Sequence, residues 1–142
     1  DHEELIGLVY NVYYKDIIYI SYLAIDDTKR GAGYGGRILQ TIQKKYSDSR
    51  IFLCIEEMDP NAENYEQRVR RKAFYESNGF KMLPFQVKEG IVMYDAMCVA
   101  DREPEITRKE CDELMKHYFG IWTFVIYVKK YTDKIAGVFG GK

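Results

Sequence analysis

The chain has 142 residues, of which 46% are apolar and 30% are charged, and its formal net charge is −1. This length fits one domain with a packed core, and the composition excludes wholesale disorder. The near-neutral charge excludes a protein that binds nucleic acid with its whole surface, and no apolar run reaches the ~20 residues that span a membrane. We therefore expect a single domain over residues 1–142, with neither nucleic acid nor a membrane as partner.

The cysteines and histidines further limit the kinds of site that the chain can form. Cys54, Cys98 and Cys111 are widely spaced, no CxxC occurs, and the chain has only two histidines. Cys54 and Cys98 lie inside apolar runs, where a free cysteine behaves as a small buried hydrophobic residue. Neither a disulfide framework nor a zinc site is supported, so we expect no metal and a reducing, cytoplasmic location.

The first part of the chain predicts a hairpin followed by a helix. Residues 5–14 and 17–25 are rich in β-branched and aromatic side chains, and the pair Lys15-Asp16 between them predicts a turn between antiparallel strands. A glycine cluster then spans residues 31–36. Beyond it, apolar residues recur at helical spacing and predict a helix that ends near residue 47; they are Ile38, Leu39, Ile42 and Tyr46.

The next part predicts further strands and helices. Residues 51–55 form a short, continuous apolar run, which is typical of a strand buried on both faces in parallel pairing. A helix from Tyr65 should stop at Asn78-Gly79, because Gly79 suits the left-handed residue that commonly closes a helix. Later patterns predict strands over 81–87 and 91–99 with Glu89-Gly90 between them, a helix over 105–118 and a last strand over 121–128. The order indicates the α/β (α+β) class, with a mixed, mostly antiparallel twisted sheet, a central β-α-β crossover and flanking helices.

The glycine cluster coincides with a local excess of positive charge. Residues 28–47 contain five basic residues and no acidic residue. Glycines between a strand and a helix let a ligand approach the main chain, and the N–H groups at a helix start bind anions. A solvated basic helix after a flexible turn is the alternative. Because glycines and charges coincide, we favour a site for a phosphorylated ligand.

A dinucleotide is one alternative ligand for this site. The pattern Gly31-x-Gly33-x-x-Gly36 matches the dinucleotide fingerprint, and Glu56 lies 20 residues beyond Gly36, where a ribose-binding acid is expected. However, residues 26–30 separate the first glycine from the preceding strand, and that strand belongs to a hairpin. A dinucleotide-binding module is therefore the less favoured hypothesis.

Two segments carry a family resemblance. The residues LAIDDTKRGAGYGG, at 23–36, resemble the acyl-CoA segment of the GNAT superfamily of N-acetyltransferases, whose pattern Gln/Arg-x-x-Gly-x-Gly/Ala is matched by Arg30, Gly33 and Gly35. The residues FYESNGF, at 74–80, resemble a second family segment, in which an aromatic-Tyr pair closes a helix before Gly-Phe. Both segments occur in the family's order, so a GNAT-like fold is expected.

The resemblance extends over roughly residues 5–99, and residues 100–142 are expected to form a C-terminal extension. Arg68 stands where many members have Asn, seven residues before the tyrosine. The strand and two helices that most members carry before the first hairpin are not recognisable here. Those helices usually shape the acceptor pocket, so the acceptor's identity stays open.

The resemblance implies an acyl-CoA-dependent N-acetyltransferase. Acetyl-CoA would be the co-substrate, and the acceptor would be a primary amine of a small molecule or peptide that attacks directly in a ternary complex. The glycine loop would hold the pyrophosphate, and the main chain of residues 23–25 would pair with the pantetheine arm. The implied cofactor-binding residues are Leu23, Ala24, Ile25, Arg30, Gly31, Ala32, Gly33, Tyr34, Gly35 and Gly36. A catalytically silent acyl-CoA-binding domain is the alternative, and a homodimer is a further expectation.

Tyr75 is the candidate general acid for the CoA sulfur. Its free pKa of about 10 lies above the thiol's pKa of about 8.5, so partial proton transfer is reasonable; a core aromatic is the alternative. Glu56 is the candidate base, because it ends the buried strand where the sheet should splay. Surface carboxylates at Glu57, Asp26 and Asp27, or a water chain, are alternatives. The basic run at residues 68–72 predicts either contacts to an outer phosphate or a solvated helix face.

Overall fold

The computed structural model describes residues 5–118. The elements in chain order are strand β1 (Gly7–Tyr14), strand β2 (Ile17–Ile25), a 3-10 turn (Asp27–Lys29), helix α1 (Tyr34–Lys45), strand β3 (Arg50–Glu56), helix α2 (Tyr65–Ser77), strand β4 (Phe80–Glu89), strand β5 (Val92–Val99) and helix α3 (residues 108–118). The strand predicted over residues 121–128 lies outside the described residues.

The described strands form one mixed sheet in the order β1-β2-β3-β5-β4. The pairs β1–β2, β3–β5 and β4–β5 are antiparallel, whereas β2 and β3 are parallel and are joined by α1. The predicted fold class is thereby confirmed, including the β-α-β crossover at the centre of the sheet.

The sheet is the middle layer between helices. Helices α1 and α2 pack on one face, and the apolar side chains of α3 cover the other. Strand β3 is buried on both faces, as its apolar run predicted: Ile51 faces α1 and Phe52 faces α3, and both side chains are fully buried. Removing one such side chain from water stabilises the fold by about 1.5–3 kcal/mol.

A buried arginine attaches α3 to the rest of the fold. The Arg50 guanidinium, only 9% exposed, donates to both carboxylate oxygens of Asp16 at 2.7 and 2.9 Å. It also donates to both carboxylate oxygens of Glu110, at 2.8 and 3.1 Å. One cation thus joins the first hairpin, β3 and α3. The division into a core over 5–99 and an extension over 100–142 stays a prediction.

Two element boundaries differ from the expected ones near the second hairpin and α3. Glu89, predicted in the turn, is the last residue of β4, and the left-handed Gly90 begins the turn with φ of 63°. Helix α3 begins later than predicted because Thr107 caps it. The Thr107 hydroxyl accepts from the Glu110 N–H at 3.2 Å, and the Glu110 carboxylate accepts from the Thr107 N–H at 3.0 Å.

The sheet opens between β2 and β3. Their last paired residues are Ile20 and Leu53, although β2 continues to Ile25 and β3 to Glu56. The pairing of β1 with β2 shifts register between Tyr10 and Asn11, and such a bulge bends a strand. The end of β2 therefore stays with β1 while β3 stays with β5. The backbone of residues 21–25 has no described strand on its β3 side.

Candidate active site

An open cavity of about 660 Å³ lies beside the separated end of β2. The end of β2, the following loop, the first turn of α1 and the last turns of α2 form its walls. Nine of the ten predicted cofactor-binding residues line it, all except Ala32, and so does the predicted acid Tyr75. Four further lining residues were missing from that prediction: Tyr22, Lys29, Arg71 and Phe74. The sequence could have predicted Arg71 as a lining residue, since it lies four residues before Tyr75 and hence on the same helix face.

The start of α1 combines left-handed glycines with backbone N–H groups that have no partner among residues 5–118. Gly31 and Gly33 have φ of 82° and 78°, a region that strains other residues. Gly33 is the N-cap, and no side chain in the described part of the chain caps the helix. The Arg37 N–H donates to the Gly33 carbonyl at 3.1 Å, and the N–H groups ahead of it in residues 31–36 carry no hydrogen bond within the described part of the chain. Free N–H groups at a helix N-terminus attract negative charge.

Gly35 and Gly36 differ from the loop glycines because they allow close packing between two helices. Both lie in the first turn of α1, not in the loop where the sequence placed them. A Cβ on Gly35 would lie 3.0 Å from Phe74 Cζ, and one on Gly36 would lie 3.0 Å from the Asn78 Oδ1. These glycines therefore let α1 approach the end of α2, which holds Tyr75 against the cavity.

Tyr75 is positioned by aromatic packing. Its ring centroid lies 5.2 Å from that of Phe74 and 5.8 Å from that of Phe80. Its hydroxyl has no hydrogen-bond partner among residues 5–118. Burial raises the pKa of Tyr75 above its ordinary value, and the Arg71 charge lowers it in part. The phenol is therefore protonated near neutral pH and available to a ligand in the cavity.

Glu56 lies beside the cavity, not among its lining residues. Its carboxylate accepts from Asn64 Nδ2 at 3.0 Å and from Arg71 Nη1 at 2.5 Å, and Arg68 Nε lies 3.0 Å from it. The Asn64 hydrogen bond, followed by the Arg71 and Arg68 charges, lowers the pKa of Glu56. A carboxylate held in this way is a weak proton acceptor.

The alternative carboxylates are engaged as well. Asp26 accepts from the N–H of Thr28 at 2.8 Å and also from its hydroxyl. Asp27 pairs with Arg30 at 2.9 Å, and Glu57 accepts from a side-chain amide of β4 at 3.1 Å. None of the three lines the cavity.

The second basic run divides between surface and site. Arg70 pairs with Glu66 at 4.0 Å and Lys72 with Glu76 at 3.5 Å, as expected for a solvated helix face. From this run, Arg71 alone lines the cavity.

Within residues 5–118, no three His, Cys, Asp or Glu side chains cluster as metal ligands, and no helix is long and apolar enough to cross a membrane.

Comparison with known proteins identifies the family. Residues 1–82 match the family model described as the acetyltransferase (GNAT) domain. The match includes more than half of the 142 residues, and the chain belongs to the GNAT acetyltransferase family. The resemblance of the two motif segments is thereby confirmed. The comparison with curated proteins found no match.

Solved structures agree on the fold. A GNAT-family acetyltransferase from Bacteroides thetaiotaomicron is 24% identical with a TM-score of 0.57; the match covers 80% of this chain and 62% of that one. An aminoglycoside 6'-N-acetyltransferase complexed with coenzyme A is 18% identical with a TM-score of 0.53, over 74% and 72% of the two chains. A Bacillus subtilis acetyltransferase in complex with CoA is 12% identical with a TM-score of 0.50, over 70% and 71%.

Proposed function

We propose that this protein is an N-acetyltransferase that moves an acetyl group from acetyl-CoA to a primary amine of a small molecule or peptide. One observation carries the proposal: a single cavity, at the opening of the sheet, contains both the free N–H groups of the α1 start and the unpaired hydroxyl of Tyr75. The first feature suits a pyrophosphate, and the second suits a leaving thiolate. The family membership and the CoA complexes of similar folds support the same substrate.

The site residues divide the work between binding and proton transfer. The loop from Gly31 to Gly36 binds the pyrophosphate, and Lys29 and Arg30 add positive charge at the same wall. Residues 23–25 pair with β1 on one side only, and the backbone groups on their other side hydrogen-bond the pantetheine arm and polarise the acetyl carbonyl. Acetyl-CoA supplies an activated acyl group whose thiolate must leave. Tyr75 protonates the sulfur as it leaves, because burial keeps its phenol protonated until then.

The proton of the amine needs a separate acceptor. Glu56 was the predicted base, but its carboxylate accepts from Asn64 and Arg71 and its pKa is lowered. We infer that Glu56 holds Arg71 in place and that the amine loses its proton to water in the open cavity. An amine of pKa about 10 is partly neutral at mildly alkaline pH, where we expect the rate to be highest.

Isothermal titration of the full chain with acetyl-CoA, CoA and NADH tests the ligand. We expect the two CoA compounds to bind and NADH not to bind. Binding of NADH without acetyl-CoA would favour a dinucleotide module and overturn the proposal. A screen of thiol release over polyamines, amino acids, aminoglycosides and peptides then tests activity. Binding of acetyl-CoA with no acceptor in any class would favour a catalytically silent domain.

A further inference from the structure

Arg71 is placed to act on the proton donor. Arg71 and Tyr75 are four residues apart on α2, and both line the cavity. The Arg71 guanidinium is half-exposed, and its Nη1 lies 2.5 Å from Glu56 Oε1 at the end of β3. Asn64 holds the other oxygen of that carboxylate at 3.0 Å. The charge of Arg71 therefore has a fixed place on the wall that carries Tyr75.

The neighbouring arginine of this cluster does not share that role. Arg68 donates from Nε to Asn64 Oδ1 and from Nη1 to the Glu57 carbonyl, both at 2.8 Å. Arg68 thus closes the loop between β3 and α2, and it does not line the cavity. Its contacts leave Arg71 as the cation of this cluster that faces the ligand.

We propose that Arg71 is a positioning residue for acetyl transfer: its guanidinium, anchored by Glu56, stabilises the negative charge that develops on Tyr75 as its proton moves to the sulfur. This inference rests on the proposed function. In the step, the amine nitrogen forms a bond to the acetyl carbon, and the C–S bond breaks with its electron pair passing to sulfur. The sulfur takes the Tyr75 proton, the amine proton passes to water, and solvent reprotonates Tyr75.

The charges around Tyr75 support this role. On α2, Arg71 lowers the pKa of Tyr75 against the effect of burial, and the charges of Lys72 and Glu76 pair with each other. The packed neighbour from β4 is the apolar Phe80, and the nearby first turn of α1 carries no acidic residue. The other cations of the cavity, Lys29 and Arg30, lie in the loop before α1. Glu56 is the carboxylate that pairs with Arg71, and none of the described residues that line the cavity is acidic.

Site-specific replacement of Tyr75 by 3,5-difluorotyrosine tests the inference in the full chain. This amino acid has a more acidic phenol, and its fluorine NMR signal reports ionisation at one site among thirteen tyrosines. The midpoint of this ionisation would be measured in the chain with Arg71 unchanged, in the variants Arg71→Gln and Arg71→Lys, and in the matched control Arg70→Gln. Arg70 is the adjacent exposed residue of the same helix and lies outside the cavity.

We expect Arg71→Gln to raise the midpoint by about 0.5–1 pH unit, because a nearby cation favours the phenolate. Arg71→Lys should restore at least half of the difference, and Arg70→Gln should leave the midpoint unchanged. Equal midpoints for the two glutamine variants would overturn the inference. In the unlabelled enzyme, the loss of turnover at high pH should move to higher pH in Arg71→Gln, since Tyr75 must be protonated to act.

Titration with acetyl-CoA separates the two proposals. If Arg71→Gln weakens binding tenfold or more but leaves the midpoint unchanged, Arg71 contacts the ligand and is not a positioning residue. If the wild-type chain does not bind acetyl-CoA at all, the proposed function fails, whereas the effect of Arg71 on Tyr75 is still measured by fluorine NMR. Circular dichroism of each variant checks that it is folded.

Discussion

Replacing Gly33 by alanine separates the backbone conformation of the loop from its steric contacts. Gly33 has φ of 78°, and an added Cβ would meet no atom of residues 5–118 within 4 Å. The substitution therefore introduces no clash, and its cost is the left-handed conformation, roughly 1–2 kcal/mol for a residue with a Cβ. The smaller entropy of the unfolded alanine chain offsets about 0.4–1 kcal/mol of this. We expect the free energy of unfolding to fall by at most about 1 kcal/mol, and by less as the loop relaxes in the free protein.

The same change should weaken ligand binding. Alanine relieves its strain by leaving the left-handed region, which turns the N–H groups of the loop away from the cavity. The ligand must then restore the strained conformation, so affinity for CoA should fall by about 5- to 30-fold, the equivalent of 1–2 kcal/mol. Isothermal titration measures this loss, and urea denaturation measures the stability.

Gly90→Ala is the matched control for this prediction. Gly90 has φ of 63°, and no described residue lies within 4 Å of an added Cβ there. It lies in the β4–β5 turn and does not line the cavity. Its stability loss should be similar, with CoA affinity unchanged. Equal CoA affinities for the two variants would refute the assignment of the loop backbone to the ligand site.

Three further predictions follow from the same structure. Tyr75→Phe should keep its fold and CoA affinity while turnover falls by about 10²–10⁴-fold, a loss that steady-state kinetics would detect and that the exposed control Tyr10→Phe should not show. Arg50→Ala should lower the free energy of unfolding by about 1–3 kcal/mol in urea denaturation, less than for a fully buried ion pair, because both carboxylate partners stay partly exposed. Hydrogen bonds from Arg50 lower the pKa of Asp16 and of Glu110 in the folded chain. Their stabilisation is therefore complete above the unfolded pKa values of about 4 and is lost as pH falls through the folded values. Denaturation at pH 6 and pH 3.5 should show this loss in the wild type and a smaller loss in Arg50→Ala; equal losses would contradict the ion-pair account.

Local patterns predicted most of the elements correctly. The alternating and continuous apolar runs identified five strands, and β2 was predicted with the bounds that the structure shows. Gly79 closes the turn after α2 with φ of 89°, as its position after the helix predicted. Such features depend on backbone preference and on the burial of nearby side chains, both of which are present in a short window of sequence. The glycine cluster and its positive charge belong to the same group.

The roles of the glycines and carboxylates were decided by contacts across the fold. A spacing of glycines cannot reveal that Gly35 faces Phe74 whereas Gly33 faces open space, because those neighbours come from a different helix. Likewise, the position of Glu56 at a strand end suggested a base, but two arginines from α2 hold its carboxylate. Side-chain charge and proton affinity depend on partners brought together by folding.

The sequence by itself determined a β-β-α-β-α-β-β order, a glycine-rich and positively charged segment before a helix, and the resemblance to an acetyltransferase, because all three reside in contiguous segments. The tertiary structure decided where the sheet opens, which residues of the two basic runs line the cavity, and that Tyr75 lines it with a partly buried ring. The physical reason is distance: Tyr75 and the α1 N-terminus are about forty residues apart in the chain and share one cavity only after α1 and α2 pack on the same face of the sheet.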